Sequence, residues 1–318
     1  MTPEATRTGE CRATGAASTS AAAIAAQAGA KASAENFPVA LRFLPRRYRG
    51  HLAAVYGFAR SVDDMGDEAA PQERAALLDE LETDVRRLYR MVSRGPGDGR
   101  DGGGPGDGGP GGGPPRISAV RALAPAVVTC AIPAQPFCDL IAANRQDQVV
   151  SRYPTFGDLE DYCRLSANPV GRIVLHVFGA ATPEREALSD RVCTALQLAE
   201  HWQDVAEDLR AGRIYLPQED MERFGCAEDD LAAPRAAPKV RALMAFEERR
   251  ARDLLDTGAP IVGTLHGAAR LAVAGYVAGG RAALAAIAAS GHDVLRATPR
   301  PGPARVAAEM VRAYATGS

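Results

Sequence analysis

Two runs of this chain place carboxylates at helical spacing directly behind apolar residues, and that pattern limits the folds open to it. In AVYGFARSVDDMGDEAA, Ala54–Ala70, the acids Asp63, Asp64, Asp67 and Glu68 follow the hydrophobic residues rather than lead them. Acids stabilise a helix near its N-terminus, where the dipole is positive, so dipole compensation does not account for them. At about 100° per residue, Tyr56, Arg60, Asp63 and Asp67 share one face about 60° wide, with Leu52 and Ala59 beside it. Two carboxylates ~6 Å apart repel by ~3 kcal/mol at an effective dielectric of ~20, a cost that a divalent cation removes. Mg²⁺ suits such a site, because it takes carboxylate and water oxygens and brings phosphate as a further ligand. A solvated acidic helix end is the alternative reading of this run taken alone.

The second run, LQLAEHWQDVAEDLRAGRIYLPQED, carries Glu200, Asp204 and Asp208 at i, i+4 and i+8, beside Leu196 and Ala199. Two such helices face to face make a cleft with acids on both walls, able to hold Mg²⁺ and a diphosphate. Arg213 follows, a guanidinium suited to phosphate oxygens, and Pro217 ends the helical stretch.

Composition agrees with an all-helical chain large enough to bury a sizeable core. It has 318 residues, 46% of them hydrophobic, 5% aromatic, with a net charge of −2. Ala and Arg are heavily used, Ala, Leu, Arg and Glu favour helix, and runs of alternating β-branched residues are few. Helical patterns fall at 50–68, 72–93, 117–130, 134–150, 156–180, 184–210, 236–256 and 260–290, which reads as one packed bundle. Residues 1–34 read as a disordered N-terminal extension, 94–115 as a flexible Gly/Pro-rich loop inside the helical domain 35–296, and 297–318 as a tail closed by a short amphipathic piece. No basic stripe suggests nucleic acid. No apolar run is read as long enough to span a bilayer, and no secretory signal opens the chain. Cys11, Cys130, Cys138, Cys163, Cys193 and Cys226 are scattered without CxxC, as reduced thiols of a cytoplasmic protein would be.

The blocks YGFARSVDDMGDE and QDVAEDLRAGRIYLP, with YCRLSANPVGRIVLHVFG between them, resemble the aspartate-rich signatures of the squalene and phytoene synthases. The resemblance covers about residues 35–296. It implies an all-α isoprenoid synthase fold around a central apolar cavity, and Mg²⁺-dependent ionisation of a prenyl diphosphate. Carried over position by position, it implies that Asp63, Asp67, Asp204 and Asp208 are metal and diphosphate ligands, with Glu200 at the opening position of the second motif. Tyr56 and Arg60 match the tyrosine and arginine before the first motif, Tyr162 the tyrosine that opens the middle motif. Arg213 and Tyr215 match the Arg and Tyr of GRxYLP; Arg60, Arg213 and Tyr215 would then bind diphosphate.

Departures from the common pattern narrow the resemblance. Glu200 stands where the family usually has Asn, Gln203 where it usually has Arg, and Ala167-Asn168-Pro169-Val170-Gly171 where it usually reads AGxVG. Glu200 either tightens metal binding or disturbs the diphosphate. ENFPV, SANPVG and HWQDV together look like the hydroxysqualene synthase branch. That branch implies conversion of presqualene diphosphate, made by a sister enzyme, into hydroxysqualene by water capture. An ordinary squalene synthase uses hydride from NADPH instead, and no GxGxxG loop on a strand–helix turn is seen here. Asn168, assisted by Gln203 or Tyr162, is the candidate for placing the water, since Pro169 should kink the helix and free a carbonyl toward the cavity. A capping or spacing role for Asn168 is the alternative.

Other residues have plainer expectations. Tyr56 is otherwise a packing aromatic. His176 and His201 lack ligand spacing and read as core or rim residues, Trp202 as packing, and Cys163 as a buried small residue. Phe37, Phe58 and Phe178 are candidates for the cavity wall, with packing the commoner role. The rival activities are head-to-head prenyl condensation on the same fold and a non-catalytic helical binding protein. A greasy diphosphate substrate also implies peripheral contact with the cytoplasmic membrane face, or hand-over from sister enzymes.

Overall fold

Prolines set much of the helical phrasing. The computed structural model describes residues 44–94 and 113–318. The expected extension 1–34, Cys11, Phe37 and the interior of the 94–115 loop lie outside the described residues. In chain order the helices are α1 (Arg46–Asp63), α2 (Pro71–Arg94), α3 (Ser118–Cys130), α4 (Gln135–Asp147), α5 (Phe156–Ser166), α6 (Asn168–Val177) and α7 (Pro183–Gln203). There follow α8 (Val205–Arg210), α9 (Gln218–Arg223), α10 (Glu228–Leu231), α11 (Pro238–Gly258), α12 (Ile261–Thr264), α13 (Gly267–Ala289) and α14 (Pro303–Thr316). A π-helical turn, Asp64–Glu68, joins the end of α1. Helices α2, α4, α6, α7, α11 and α14 each carry proline at the first or second position. There the missing N–H would have no intrahelical partner and the fixed φ is already helical.

The same rule corrects the expected long helix 156–180. It is broken at Ala167, and Pro169 opens α6 rather than kinking a continuous helix. Thr155 caps α5 reciprocally: the Asp158 N–H donates to Thr155 Oγ1 (3.2 Å), and the Thr155 N–H donates to Asp158 Oδ2 (2.9 Å). The pattern over 184–210 is likewise divided, at Asp204, and that over 260–290 divides into α12 and α13.

Hydrophobic burial gathers into two clusters that share α6. Leu175 of α6 belongs to the cluster built on α5, α7, α11 and α13, with Trp202, Leu198, Leu255 and Val277. Ile173, Val174 and Val177 of the same helix belong to the cluster of α1–α4, with Phe58, Leu81, Leu123 and Phe137. One helix thus seals both halves of the bundle. At about 25 cal/mol per Å² of apolar area, burial on this scale is the dominant stabilising term. Among the described residues no strand forms beyond a single parallel bridge, Arg152 to Ile214. The described residues fall within one compact unit, 36–318. Its end includes the tail expected at 297–318, because α14 packs on α13.

One expectation about membranes is corrected. Gly267–Ala289 (α13) is long and apolar enough, by length and composition, to cross a bilayer. Its alanines and glycines hid it from a reading of long aliphatic runs. Most of that stretch is buried inside the bundle, as a core helix requires.

Candidate active site

The first acidic ridge is not regular α-helix. Beyond Asp63 the chain widens into the π turn, and the Ala69 N–H bonds back five residues to the Asp64 carbonyl at 3.1 Å. Single π turns inside α-helices gather at functional sites. Arg60 donates to Asp64 Oδ1 at 2.8 Å, with Asp63 at 3.7 Å and Glu68 at 4.0 Å from the same guanidinium. Asp63 and Asp67 are about half exposed, as groups lining a mouth would be. Asn144 of α4 donates to Asp63 Oδ1 at 3.4 Å, tying the ridge to the bundle.

The second ridge is carried by the end of α7 and by α8. The turn at Asp204 separates them, so Asp204 caps α7 and opens α8, while Asp208 lies one turn further on. Both carboxyls are pushed above their ordinary range. Burial is the main cause for Asp204, with Glu207 adding to it and Arg300 opposing. Asp208 reaches about 7, through burial and then the neighbouring charge of Asp204, with Arg213 opposing.

Arg213 joins the two ridges. Its guanidinium donates to Asp67 Oδ1 at 3.0 Å across 146 residues of sequence. The chain is aimed there by a turn: Gly212 has φ +82°, and the Arg213 N–H returns to the Asp208 carbonyl at 2.8 Å. That left-handed conformation suits glycine. The Ile214 N–H then bonds the Ser151 carbonyl at 3.0 Å, and the Gln218 N–H bonds Tyr153 at 2.9 Å, fixing the segment against the α4–α5 connection.

Beneath Arg213 lies a carboxylate that sequence reasoning missed. Asp147, the last residue of α4, accepts from the Tyr162 hydroxyl at 3.0 Å. Burial raises its carboxyl to about 6, with Arg213 opposing and the charges of Asp67 and Asp63 adding. Tyr162 and Tyr215 stand with Tyr153 and His201 in one aromatic group; His201 stacks on Tyr215 at 3.6 Å between centroids. Burial lowers His201 to about 3, so its ring is neutral, and raises the Tyr215 hydroxyl to about 12. Asp147 shares the 134–150 pattern only with Asp139, eight residues away, so no pair of acids on adjacent turns betrays it.

Alongside the second ridge is an apolar cavity of about 180 Å³. Val170 and Val174 of α6, Leu196 of α7 and Val273 and Tyr276 of α13 form its greasy walls, while Gln197 and Glu200 border it on the side of the acids. Glu200, one turn before Asp204, is therefore shared by cavity and ridge. Gln197 was not singled out from sequence, although it stands one turn before His201; its side-chain nitrogen lies 3.2 Å from His201 Nε2.

The candidate water-placing residues are not brought together. Asn168 is buried, and its side-chain oxygen accepts from Thr194 at 3.0 Å, pinning α6 to α7. Gln203 is buried and donates to the Pro299 carbonyl. Tyr162 is engaged by Asp147. Tyr56, on α1 one turn before Arg60, is half-buried. Trp202 and Cys163 are fully buried, and Phe58 packs edge-on against Phe137, all as core residues. Phe178 packs against Tyr48 rather than lining the cavity, and His176 lies 3.9 Å from Glu186. The described cysteines are free thiols.

The donor set fits a hard cation. Every candidate ligand is a carboxylate, and Asp204 and Asp208 are held reluctant to ionise by burial and by like charge, which a divalent ion would relieve. Among the described residues no three His, Cys, Asp or Glu side chains converge into a ready-made metal cage. Mg²⁺ does not need one, because it is commonly held by one or two carboxylates, with water and substrate phosphate completing its octahedron.

The squalene/phytoene synthase family model matches residues 30–307. The chain is 32% identical over 231 residues to a hydroxysqualene synthase of Sinorhizobium fredii, covering 72% of this chain and 70% of that protein. It is 33% identical over 233 residues to a 15-cis-phytoene synthase of Synechocystis, covering 69% of this chain and 62% of that protein. The crystal structure of squalene synthase HpnC from Alicyclobacillus acidocaldarius superposes with a TM-score of 0.70 at 42% identity, covering 81% of this chain and 89% of that one.

Proposed function

Since this chain belongs to the squalene/phytoene synthase family and has its all-α isoprenoid synthase fold, we propose that it converts presqualene diphosphate into hydroxysqualene with the aid of Mg²⁺. The observation that carries the reading is the Arg213–Asp67 pair, which holds the two acidic ridges together beside the apolar cavity. When bound, Mg²⁺ supplies Lewis-acid neutralisation of the departing diphosphate. Asp63, Asp67, Asp204 and Asp208 would hold it, with Glu200 at the cavity border.

The chain's own groups do the rest. Arg213 and Arg60 would take diphosphate oxygens by exchanging their present carboxylate partners for phosphate, with the Tyr215 hydroxyl as a further donor. As the carbon–oxygen bond breaks, Val170, Val174, Leu196 and Val273 exclude bulk solvent from the cation and let it rearrange. Gln197 and Glu200 border that space and are positioned to hold one water. Its attack gives hydroxysqualene, free diphosphate and a proton. Tyr162 keeps Asp147 oriented beneath Arg213. Asn168 contributes by fixing the α5–α6 junction against Thr194.

The test is incubation with presqualene diphosphate and Mg²⁺ without reductant, followed by product identification; hydroxysqualene is expected. A second reading, head-to-head condensation, is favoured by the phytoene synthase relative. Consumption of farnesyl diphosphate supplied alone would establish it instead.

The substrate's hydrocarbon also supports peripheral contact with the cytoplasmic membrane face, directly or through the enzymes that hand it over. Val311 and Tyr314 of α14 and Leu271 of α13 expose apolar surface, and Arg305 and Arg312 lie on the same terminal helix. Flotation with anionic liposomes tests this, and a protein that stays at the bottom with every lipid composition defeats it.

A further inference from the structure

Gln203 is the residue immediately before Asp204, and its side chain does not face the cleft. It is buried and donates across 96 residues of sequence to the carbonyl of Pro299, itself buried. A second tie lies one turn away, where Thr298 Oγ1 donates to Glu207 Oε1 at 3.0 Å. Residues 298 and 299 are thus fastened on both sides of Asp204. The approach to them is rigid too. Val294 and Leu295 are buried, and the buried carboxylate of Asp293 binds Arg241 at 2.6 Å and the Ala236 N–H at 2.8 Å. Pro299, Pro301 and Pro303 stiffen the stretch leading into α14.

The next residue along this strap is Arg300. It is exposed, and no hydrogen bond or ion pair to it is found among the described residues. The ties of Gln203 to the Pro299 carbonyl and of Thr298 to Glu207 set its backbone beside the turn at Asp204. The other cations of the site are committed to the first ridge, Arg60 to Asp64 and Arg213 to Asp67. A diphosphate bridging both walls of the cleft needs positive charge on each.

We propose that Arg300 is a diphosphate-binding residue of the second ridge, carried there by the strap that Gln203 and Thr298 hold down. This rests on the reading that the cleft binds a prenyl diphosphate. In that role Gln203 is a positioning residue: its amide acts on the ligand only through the Pro299 carbonyl. The exposed guanidinium would donate to the terminal phosphate oxygens opposite Arg213, so that the anion is gripped from both sides as it leaves.

Titration calorimetry of the full chain with inorganic diphosphate in Mg²⁺ tests the idea, with melting temperature followed in parallel. Arg300→Gln is expected to weaken diphosphate binding about tenfold without moving the melting temperature, and Arg300→Lys to recover part of that loss. Gln203→Leu is expected to weaken binding as well, by freeing the strap, even though residue 203 itself touches no ligand. In turnover, Arg300→Gln should raise the inhibition constant for added diphosphate by the same factor. Wild-type affinity in Arg300→Gln would overturn the proposal while leaving the family reading intact. A wild-type protein that binds no diphosphate in Mg²⁺ and consumes no prenyl diphosphate would instead defeat the reading, and the proposal with it.

Discussion

Gly66 lies directly against Asn144: a Cβ placed on it would overlap the Asn144 side-chain oxygen. A side chain at residue 66 would force the Asn144 amide aside, and Asn144 in turn donates to Asp63 at 3.4 Å. Gly66→Ala should therefore push Asn144 off Asp63 and open the first ridge. Activity should fall about tenfold or more, with a stability loss of about 1–3 kcal/mol from overpacking. Paired assays of turnover and urea unfolding check both numbers.

Arg213 sits where charge matters more to the ligand than to the fold. The Arg213–Asp67 pair is partly exposed, so its removal should cost no more than about 1 kcal/mol of stability. Turnover of a prenyl diphosphate should fall about a hundredfold in Arg213→Gln, since an aimed cation on a leaving group is a large electrostatic contribution. Unchanged kcat and KM in that variant would remove Arg213 from the site.

Much of this site could be read before any coordinates. The i, i+4 spacing of the acids marked both candidate ridges, since adjacent turns of one helix are neighbours in space, and the GRIYLP block marked Arg213. The π turn after Asp63, the break at Asp204 and the Gly212 turn that aims Arg213 were not legible from spacing. What escaped depends on distant contacts. Asp147 becomes part of the site only because α4 ends beneath Arg213. Gln203 looked like a group for the cleft until Pro299 proved to be its partner. The breaks at Ala167 and Asp204 interrupt stretches whose apolar periodicity runs straight through, so periodicity alone joins them. In the fold, the helical class was plain from composition, whereas the burial of α13 and the docking of α14 needed tertiary structure.

The charge of the ridges predicts a Mg²⁺ requirement. Treatment with EDTA should abolish turnover and added Mg²⁺ restore it. Asp204→Asn should raise the Mg²⁺ concentration needed for half-maximal activity about tenfold, because it withdraws one carboxylate. A Mg²⁺ titration of both proteins decides the point.

Glu247 offers a test of pH linkage away from the cleft. It is fully buried, and burial raises its carboxyl from 4.5 to about 8, with Arg250 opposing. Between those values the unfolded chain gives up a proton that the folded chain keeps. Stability should therefore fall as pH rises from about 4.5 to about 8, by an amount on the order of a few kcal/mol, and level off above that. Glu247→Gln should flatten that slope, as measured by denaturant unfolding at several pH values.

Asp84 anchors the return of the chain after the Gly/Pro-rich loop. Its buried carboxylate accepts from the Arg116 and Ile117 N–H groups, each at 2.7 Å, and from Arg87 at 3.0 Å. Asp84→Ala would strand the Arg116 and Ile117 N–H groups and remove a carboxylate from the buried Arg87. A loss of about 3 kcal/mol is expected in thermal or chemical unfolding.

The π turn at Asp64–Glu68 acts as a phase shifter. One surplus residue within a coil rotates everything downstream by about a quarter-circle, so Asp67 owes its bearing toward Arg213 to that surplus. Excising a single position there would relax the backbone into ordinary helix while swinging the carboxylate off its mark. The chain could then keep its fold and lose its grip on the anion, a separation of stability from chemistry that few point substitutions would achieve.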